Sequence, residues 1–287
     1  MQQKSNIINE IEFLEDLRQL AHVYETISTI KMQQIRESII QSRYFFAELM
    51  DIFQSLQYEN LDTINENIAT LTEQRGISLK PMATVIITAN TKFHGDILRK
   101  TFNYFIKKYD RAGDLFVIGK IGRELIQQYK SSINFKEFDI SDINFTIQDL
   151  KPILFHLLQY KKIHVYYAVF KNLVEQIPTD ADIADILKLT PEEIKEQTGK
   201  EKQTDFLFEP SGQKIAGFIH NSVIAMLLLQ TVSETHLARL ASRLNAMDAL
   251  LQRIDIDVKK LDSKQRRFEK SLQSIKQAER LSGIALW

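Results

Sequence analysis

Along the last third of the chain, Leu237, Leu240, Leu244, Met247, Leu251, Ile254, Val258 and Leu261 recur at alternating spacings of 3 and 4. The rhythm continues through the polar Gln265 to Phe268, Leu272 and Ile275. Such alternation keeps one apolar seam on a helix and predicts a coiled coil. Phe218 to Ser282 contains neither Gly nor Pro, so nothing inside it forces the helix to end. The N-terminal segment carries a matching pattern in Phe13, Leu17, Leu20, Tyr24 and Ile27. The register then shifts across Lys31 and resumes at Ile35, Ile39, Ser42, Phe46, Leu49, Phe53 and Leu56. A discontinuity of this kind changes the local winding of a supercoil. The first Gly is Gly76 and the first Pro is Pro81, so this helix too is expected to be long. Periodicity leaves two pairings open: between chains, or between the two ends of one chain as an antiparallel hairpin.

The middle of the chain has a different texture. Ala83–Asn90, Leu115–Gly119 and Ile163–Phe170 are short runs rich in β-branched and aromatic residues, which predict strands. Phe206–Phe208 is a fourth candidate. Helical patterns lie between them at Gly95–Tyr109, Gly122–Lys130 and Ile147–Lys161. Strands alternating with helices predict a small α/β domain with a largely parallel sheet. Thr190, Pro191 and Glu193 have the spacing of a capping box with Pro at the first helical position, and mark one further short helix. The expected fold is α/β with long helices: an N-terminal coil helix over 1–75, a central Rossmann-like domain over 76–209 and a C-terminal coil helix over 210–287.

Composition narrows the functional classes. Lys plus Arg and Asp plus Glu are both 37 in 287 residues, a balance unlike that of a general nucleic-acid binder. Cys is absent, which removes disulfides, a thiol nucleophile and thiolate metal sites. The longest aliphatic run, Val223–Leu229, is far below the ~20 apolar residues of a membrane span. The first residues lack the apolar core of a signal peptide, so a soluble, cytoplasmic chain is expected.

Candidate chemistry is sparse. Gly113 to Lys120 reads G-x5-G-K. A phosphate-binding loop has four residues between the glycines and Ser or Thr after the Lys, whereas Ile121 follows here. A strand-to-helix turn at Gly119–Gly122 is the expectation. The six His have no metalloprotease spacing, and no Ser nucleophile motif occurs; no cofactor or metal is expected. The exception to the even charge distribution is Lys259–Lys270. There Lys259, Lys260, Lys264, Arg266, Arg267 and Lys270 face only Asp262 and Glu269. Such a run is a solvated helix face or a contact for an acidic partner.

Several ordered motifs now coincide. Phe206, Phe208, Glu209 and Pro210 resemble the aromatic-x-aromatic-Glu-Pro signature of the gamma subunit of F-type ATP synthases. Asn221-Ser222, then His236, Ala238, Arg239 and Leu240, then Asn245, Ala246 and Asp248 follow at that family's spacings. Val117–Gly122 resembles its Ile-Gly-x-x-Gly turn, Tyr167, Phe170 and Asn172 its late central strand, and Ser282-Gly283 its terminal Ser-Gly. The resemblance covers almost the whole chain.

It implies a central rotor stalk without catalytic residues of its own, coupling rotation of a membrane c-ring to ATP synthesis or hydrolysis in an alpha/beta hexamer. The epsilon subunit is a further implied partner, nucleic acid is not, and contact with the membrane would be indirect, at the cytoplasmic face of a bacterial cell membrane. It further implies that Lys31, Arg36, Arg239, Gln265, Arg266 and Arg267 meet the stator, and that Phe206, Phe208 and Glu209 meet the c-ring. The chain departs from the family where Ser-Asp-Arg-Gly-Leu-Cys-Gly-Gly is expected: Ala89–Asp96 keeps only Gly95 in register. The residues alone also admit a homodimeric coiled-coil scaffold with an inserted α/β head, and a nucleotide-binding enzyme with helical arms.

Overall fold

The computed structural model describes residues 2–59, 80–111, 113–129, 132–142, 145–183 and 212–284. Its elements are α1 (Gln2–Glu59), β1 (Lys80–Ile87), α2 (Ile97–Lys108), β2 (Asp114–Ile118), α3 (Lys120–Tyr129), β3 (Lys136–Phe138), α4 (Ile147–Leu157), β4 (Tyr160–Phe170), β5 (Gln176–Asp182) and α5 (Gly212–Ile284). The chain forms two compact units, one of residues 1–29 with 243–287 and one of 30–242. The division by compactness runs across both end helices, whereas the expected division at 75 and 209 follows the succession of elements along the chain. Both end helices contribute to both units, because each has a coil segment and a segment packed with the α/β elements.

In the first unit, α1 and α5 pair within one chain. Arg18 reaches Asp255 at 2.6 Å, and the Arg243 guanidinium lies 5.6 Å from the centre of the Tyr24 ring. Ascending α1 thus means descending α5, an antiparallel pair, which resolves the alternative left open by periodicity. On α5 the expected seam holds as far as Phe268: Met247, Ile254 and Leu261 are buried and Leu251, Val258, Gln265 and Phe268 half-buried, whereas Leu272 and Ile275, expected to continue it, are exposed.

On α1 the expected seam is displaced by one residue. Ile7, Ala21 and Ser28 are buried, with Ile11, Leu14, Arg18 and Glu25 half-buried. Phe13, Leu20 and Ile27 are instead 60%, 56% and 45% exposed. One residue is ~100° around a helix, so these form a second stripe beside the seam. Small Ala21 and Ser28 are the buried positions of the seam, and the bulkier side chains are left on the outer flank. Nor does the register shift at Lys31. Ser28, Met32, Ile35, Ile39 and Ser42 are all at least half-buried at unbroken spacings of 4 and 3.

The second unit holds a five-stranded sheet in the order β3-β2-β1-β4-β5. β1, β2, β3 and β4 are parallel and β5 is antiparallel to β4. Ala83, Val85, Ile86 and Ile87 of central β1 are almost fully buried, as a parallel strand covered on both faces requires. On one face Ala83, Val85, Phe116, Ile118 and Val165 pack with Leu150, Ile153 and Leu157 of α4 and Val223, Ile224, Leu227 and Leu228 of α5. On the other, Ile86, Leu115, Val117 and Tyr166 pack with Phe102 and Phe105 of α2 and Ile126 of α3. Strands and helices match the expectation, with two additions. β3 is only three residues, and β5 contains Pro178, which a strand tolerates at a sheet edge. The strand expected at Phe206–Phe208 and the helix expected after Thr190 lie outside the described residues.

The open edge carries a charge cluster with a pH signature. Burial alone would raise the Asp180 carboxyl, but hydrogen bonds from Lys108, at 2.7 Å, and from the Tyr104 hydroxyl outweigh it and hold it below its ordinary value. At the opposite end of the strands, Lys80 at 2.7 Å and Tyr160 lower Asp114 in the same way. A carboxylate depressed on folding stabilises the native state above its unfolded pKa, and that contribution is lost as pH falls through the folded value. The expected result is an acid loss of stability of the free chain setting in below about pH 4. Asp180→Asn should make that limb shallower in melting curves recorded between neutral and acid pH. An unchanged limb would show that these contacts are not made in solution.

Candidate functional site: the filled crevice of the sheet and the basic band

In an open parallel sheet, ligands enter at the carboxyl ends of the strands, where the strand order reverses. Here that point lies between β1 and β4. It is occupied by the chain itself. Ala89, Ile97 and Ala168 close around Ala238 of α5. The amides that open α3 are also taken: Lys120 donates to Asn90 Oδ1 at 3.0 Å, Ile121 to the Ala89 carbonyl at 2.9 Å, and Gly122 to Thr88 Oγ1 at 3.0 Å. These are the groups a phosphate cradle would use. Gly119, with φ +98°, makes the turn between strand and helix that the sequence leads one to expect.

A polar knot ties this edge to α5. Arg239 Nη1 donates to Asp142 Oδ1 at 2.8 Å and to the Thr88 carbonyl at 2.5 Å. Asp142 Oδ2 accepts from the amides of Asn90 and Thr91, both at 2.7 Å, and from the Thr91 hydroxyl at 3.0 Å. The Asn90 side chain donates to Asp139 and, at 2.8 Å, to the Ile140 carbonyl. The loops after β1 and β3, the start of α3 and α5 are thereby joined. Gly95, with φ +60°, brings its backbone against α5; a Cβ there would lie 2.5 Å from Ser242 Oγ and 2.8 Å from the Ser242 carbonyl oxygen.

A family model described as ATP synthase matches residues 3–270. The chain belongs to the ATP synthase gamma family. A gamma chain of Caldicellulosiruptor saccharolyticus is 20% identical over 97% of this chain and 97% of its own length. That of Elusimicrobium minutum is 23% identical over 87% of each. Among solved structures, a chain of the Euglena gracilis mitochondrial ATP synthase, determined by cryo-EM with OSCP, F1 and c-ring in rotational state 3, superposes with a TM-score of 0.63 at 14% identity, covering 98% of this chain and 94% of that one. A chain of the rotor from the same source, in rotational state 1, gives 0.59 at 15% identity, covering 93% and 99%. At these identities the likeness speaks for the fold.

The residues singled out by the gamma-family resemblance fall in different settings. Arg239 is 3% exposed and its guanidinium is engaged by Asp142 and the Thr88 carbonyl. Lys31 is half-buried and lines a cleft of about 450 Å³ with Ile35, Phe145, Leu229 and His236. Arg36 is exposed. Gln265 is half-buried on the seam and reaches Glu269 at 3.4 Å. Arg266 and Arg267 are exposed, as are Lys259, Lys260, Lys264 and Lys270, so the basic band presents its charge outward. Phe206, Phe208 and Glu209 lie outside the described residues. Sequence reasoning missed Asp142 and Asn90. Neither sits in a recognisable motif, and Asp142 meets Arg239 across 97 positions. Among the described residues, no three His, Asp or Glu gather around a point that could hold a metal ion. No helix among them is long and apolar enough to cross a membrane.

Proposed function

We propose that this chain is the central rotor shaft of an ATP synthase, turning with the c-ring inside the alpha/beta hexamer and carrying no catalytic residues of its own. The carrying observation is the intrachain antiparallel coil whose outer flank presents Phe13, Leu20 and Ile27. A long helix pair that has already satisfied its own seam needs no second copy of itself, which counts against the homodimeric scaffold. Large apolar residues left in a row outside it suit a rod enclosed by other subunits. A stiff, asymmetric rod can bias otherwise equivalent catalytic sites through differential contacts. The crevice where a nucleotide would bind in this fold is filled by α5, which leaves the chemistry to the partners. In this reading the chain stands at the cytoplasmic face of a bacterial membrane and meets epsilon and the c-ring, with Phe206, Phe208 and Glu209 at the c-ring contact. Affinity purification of the tagged chain tests the proposal: alpha- and beta-type ATPase subunits should co-purify, and their absence would overturn it.

The basic band is the proposed grip on the stator, with Lys31, Arg36 and Gln265 as further contacts. Exposed charges contribute only ~0–1 kcal/mol each to folding. Arg266→Ala with Arg267→Ala should therefore leave the melting curve of the free chain nearly unchanged while lowering ATPase turnover of the assembled complex severalfold. Parental turnover would return these arginines to an ordinary solvated face.

A further inference from the structure

Resting on the rotor reading, we infer that the buried Arg239–Asp142 pair, with the Gly95–Ser242 abutment, is the joint that prevents α5 from turning or sliding on the α/β unit, and that Asp142 is a positioning residue for torque transfer. α5 is held to that unit in two chemically different ways. From Val223 to Val232 the contacts are apolar. Such contacts resist separation but are non-directional, so a helix can exchange one apolar neighbour for another at small cost. At Arg239 the contacts are hydrogen bonds, which weaken steeply when donor and acceptor lose alignment.

The acceptor is itself immobilised. Asp142 receives the Asn90 and Thr91 amides and the Thr91 hydroxyl on the oxygen that Arg239 does not use, so the carboxylate is held from swinging after a moving guanidinium. The Arg239 and Asp142 side chains are 4% and 8% exposed, where solvent screening is weak and displacement of the charges is opposed most strongly. Beside them, the backbone of Ser242 occupies the space that a Cβ on Gly95 would fill, a steric stop. Ser242 is also the last residue of this unit before the coil segment of α5 begins at Arg243. During hydrolysis, the direction the test uses, torque carried along the helix from its coil segment meets this turn before the apolar stretch, so the directional contacts stand where that load enters.

The test uses the assembled complex in sealed vesicles, reading ions transported per ATP hydrolysed, with H+ followed by a pH-sensitive dye and Na+ by isotope uptake. The parental complex comes first: hydrolysis without transport there would fail the rotor reading itself. With coupling established, Asp142→Asn is expected to lower the ratio about three- to tenfold, the range open to a change that weakens coupling between sites. Leu228→Ala, which loosens the fully buried apolar stretch of the same helix, should lower the melting temperature yet keep the parental ratio. A parental ratio in Asp142→Asn, or an equal fall in both variants, would overturn the inference. Should Asp142→Asn fail to assemble, Arg239→Lys retains the charge but loses the planar fork of donors. Its ratio should fall below the parental one, and a parental value would again refute the joint.

Discussion

Ile254→Asp is expected to open the coil. Ile254 is 2% exposed at the centre of the α5 seam. Losing its burial removes about 1.5–3 kcal/mol, and an unpaired carboxylate in its place adds a desolvation cost of several kcal/mol more. Among its described residues the first unit has only the two helices, with no sheet to absorb that loss. Circular dichroism should show an early melting transition with a loss of helical signal, while the α/β unit melts near its parental temperature. Ile256→Asp is the control. Ile256 is only two residues away but 54% exposed, and its substitution should be nearly silent. Equal effects at the two positions would mean that the seam does not run through Ile254.

Gly119→Ala is expected to strike the α/β unit as hard. The residue has φ +98°, and a Cβ there would sit 2.8 Å from the backbone N, C and O of Ala89. Backbone atoms just past the end of a central strand, held there by hydrogen bonds, cannot rotate away as a side-chain tip can. The left-handed conformation alone costs on the order of 1–3 kcal/mol for a residue with a Cβ; with the clash, the total should exceed about 3 kcal/mol. The turn also places Lys120, Ile121 and Gly122 for their bonds to Asn90, Ala89 and Thr88, so the effect should spread to the whole carboxyl edge. Urea unfolding should show a much lower midpoint. Ala at the neighbouring exposed Lys120 should leave it in place, and a parental midpoint for Gly119→Ala would contradict the geometry of the turn.

What could be read from the sequence follows from how far each signal reaches along the chain. The α5 seam was legible because a coil repeats its demand every seven residues, so Met247, Ile254 and Leu261 reinforce one another. β1 and β4 were legible because burial on both faces writes a continuous apolar run. The α1 seam was misread by one position for a physical reason. This helix carries two apolar stripes, and periodicity finds the bulkier one in Phe13, Leu20 and Ile27. The buried face instead holds small Ala21 and Ser28, which a search for bulky apolar residues passes over. β5 was hidden by Pro178 and its alternating acids, and β3 by its brevity. Arg239 stood out by its motif, but its burial could not be read, because its partner Asp142 arrives from another loop and nothing local marks the pair.

The crevice at the carboxyl edge of the sheet has a consequence for regulation. In a binding protein of this architecture, that crevice empties and fills with the concentration of a metabolite. Here its occupant is α5, joined to the sheet by the same polypeptide. Attachment of this kind acts as an effective concentration, often in the millimolar range for short tethers and independent of dilution. Occupancy is therefore set once, when the chain folds, and a free nucleotide would have to displace a helix rather than compete with another solute. The seat of α5 on the sheet should stay constant as the cell's ATP and ADP rise and fall. A rotor working directly between those two pools can thus sense their ratio at its partners' sites without its own stiffness changing with it.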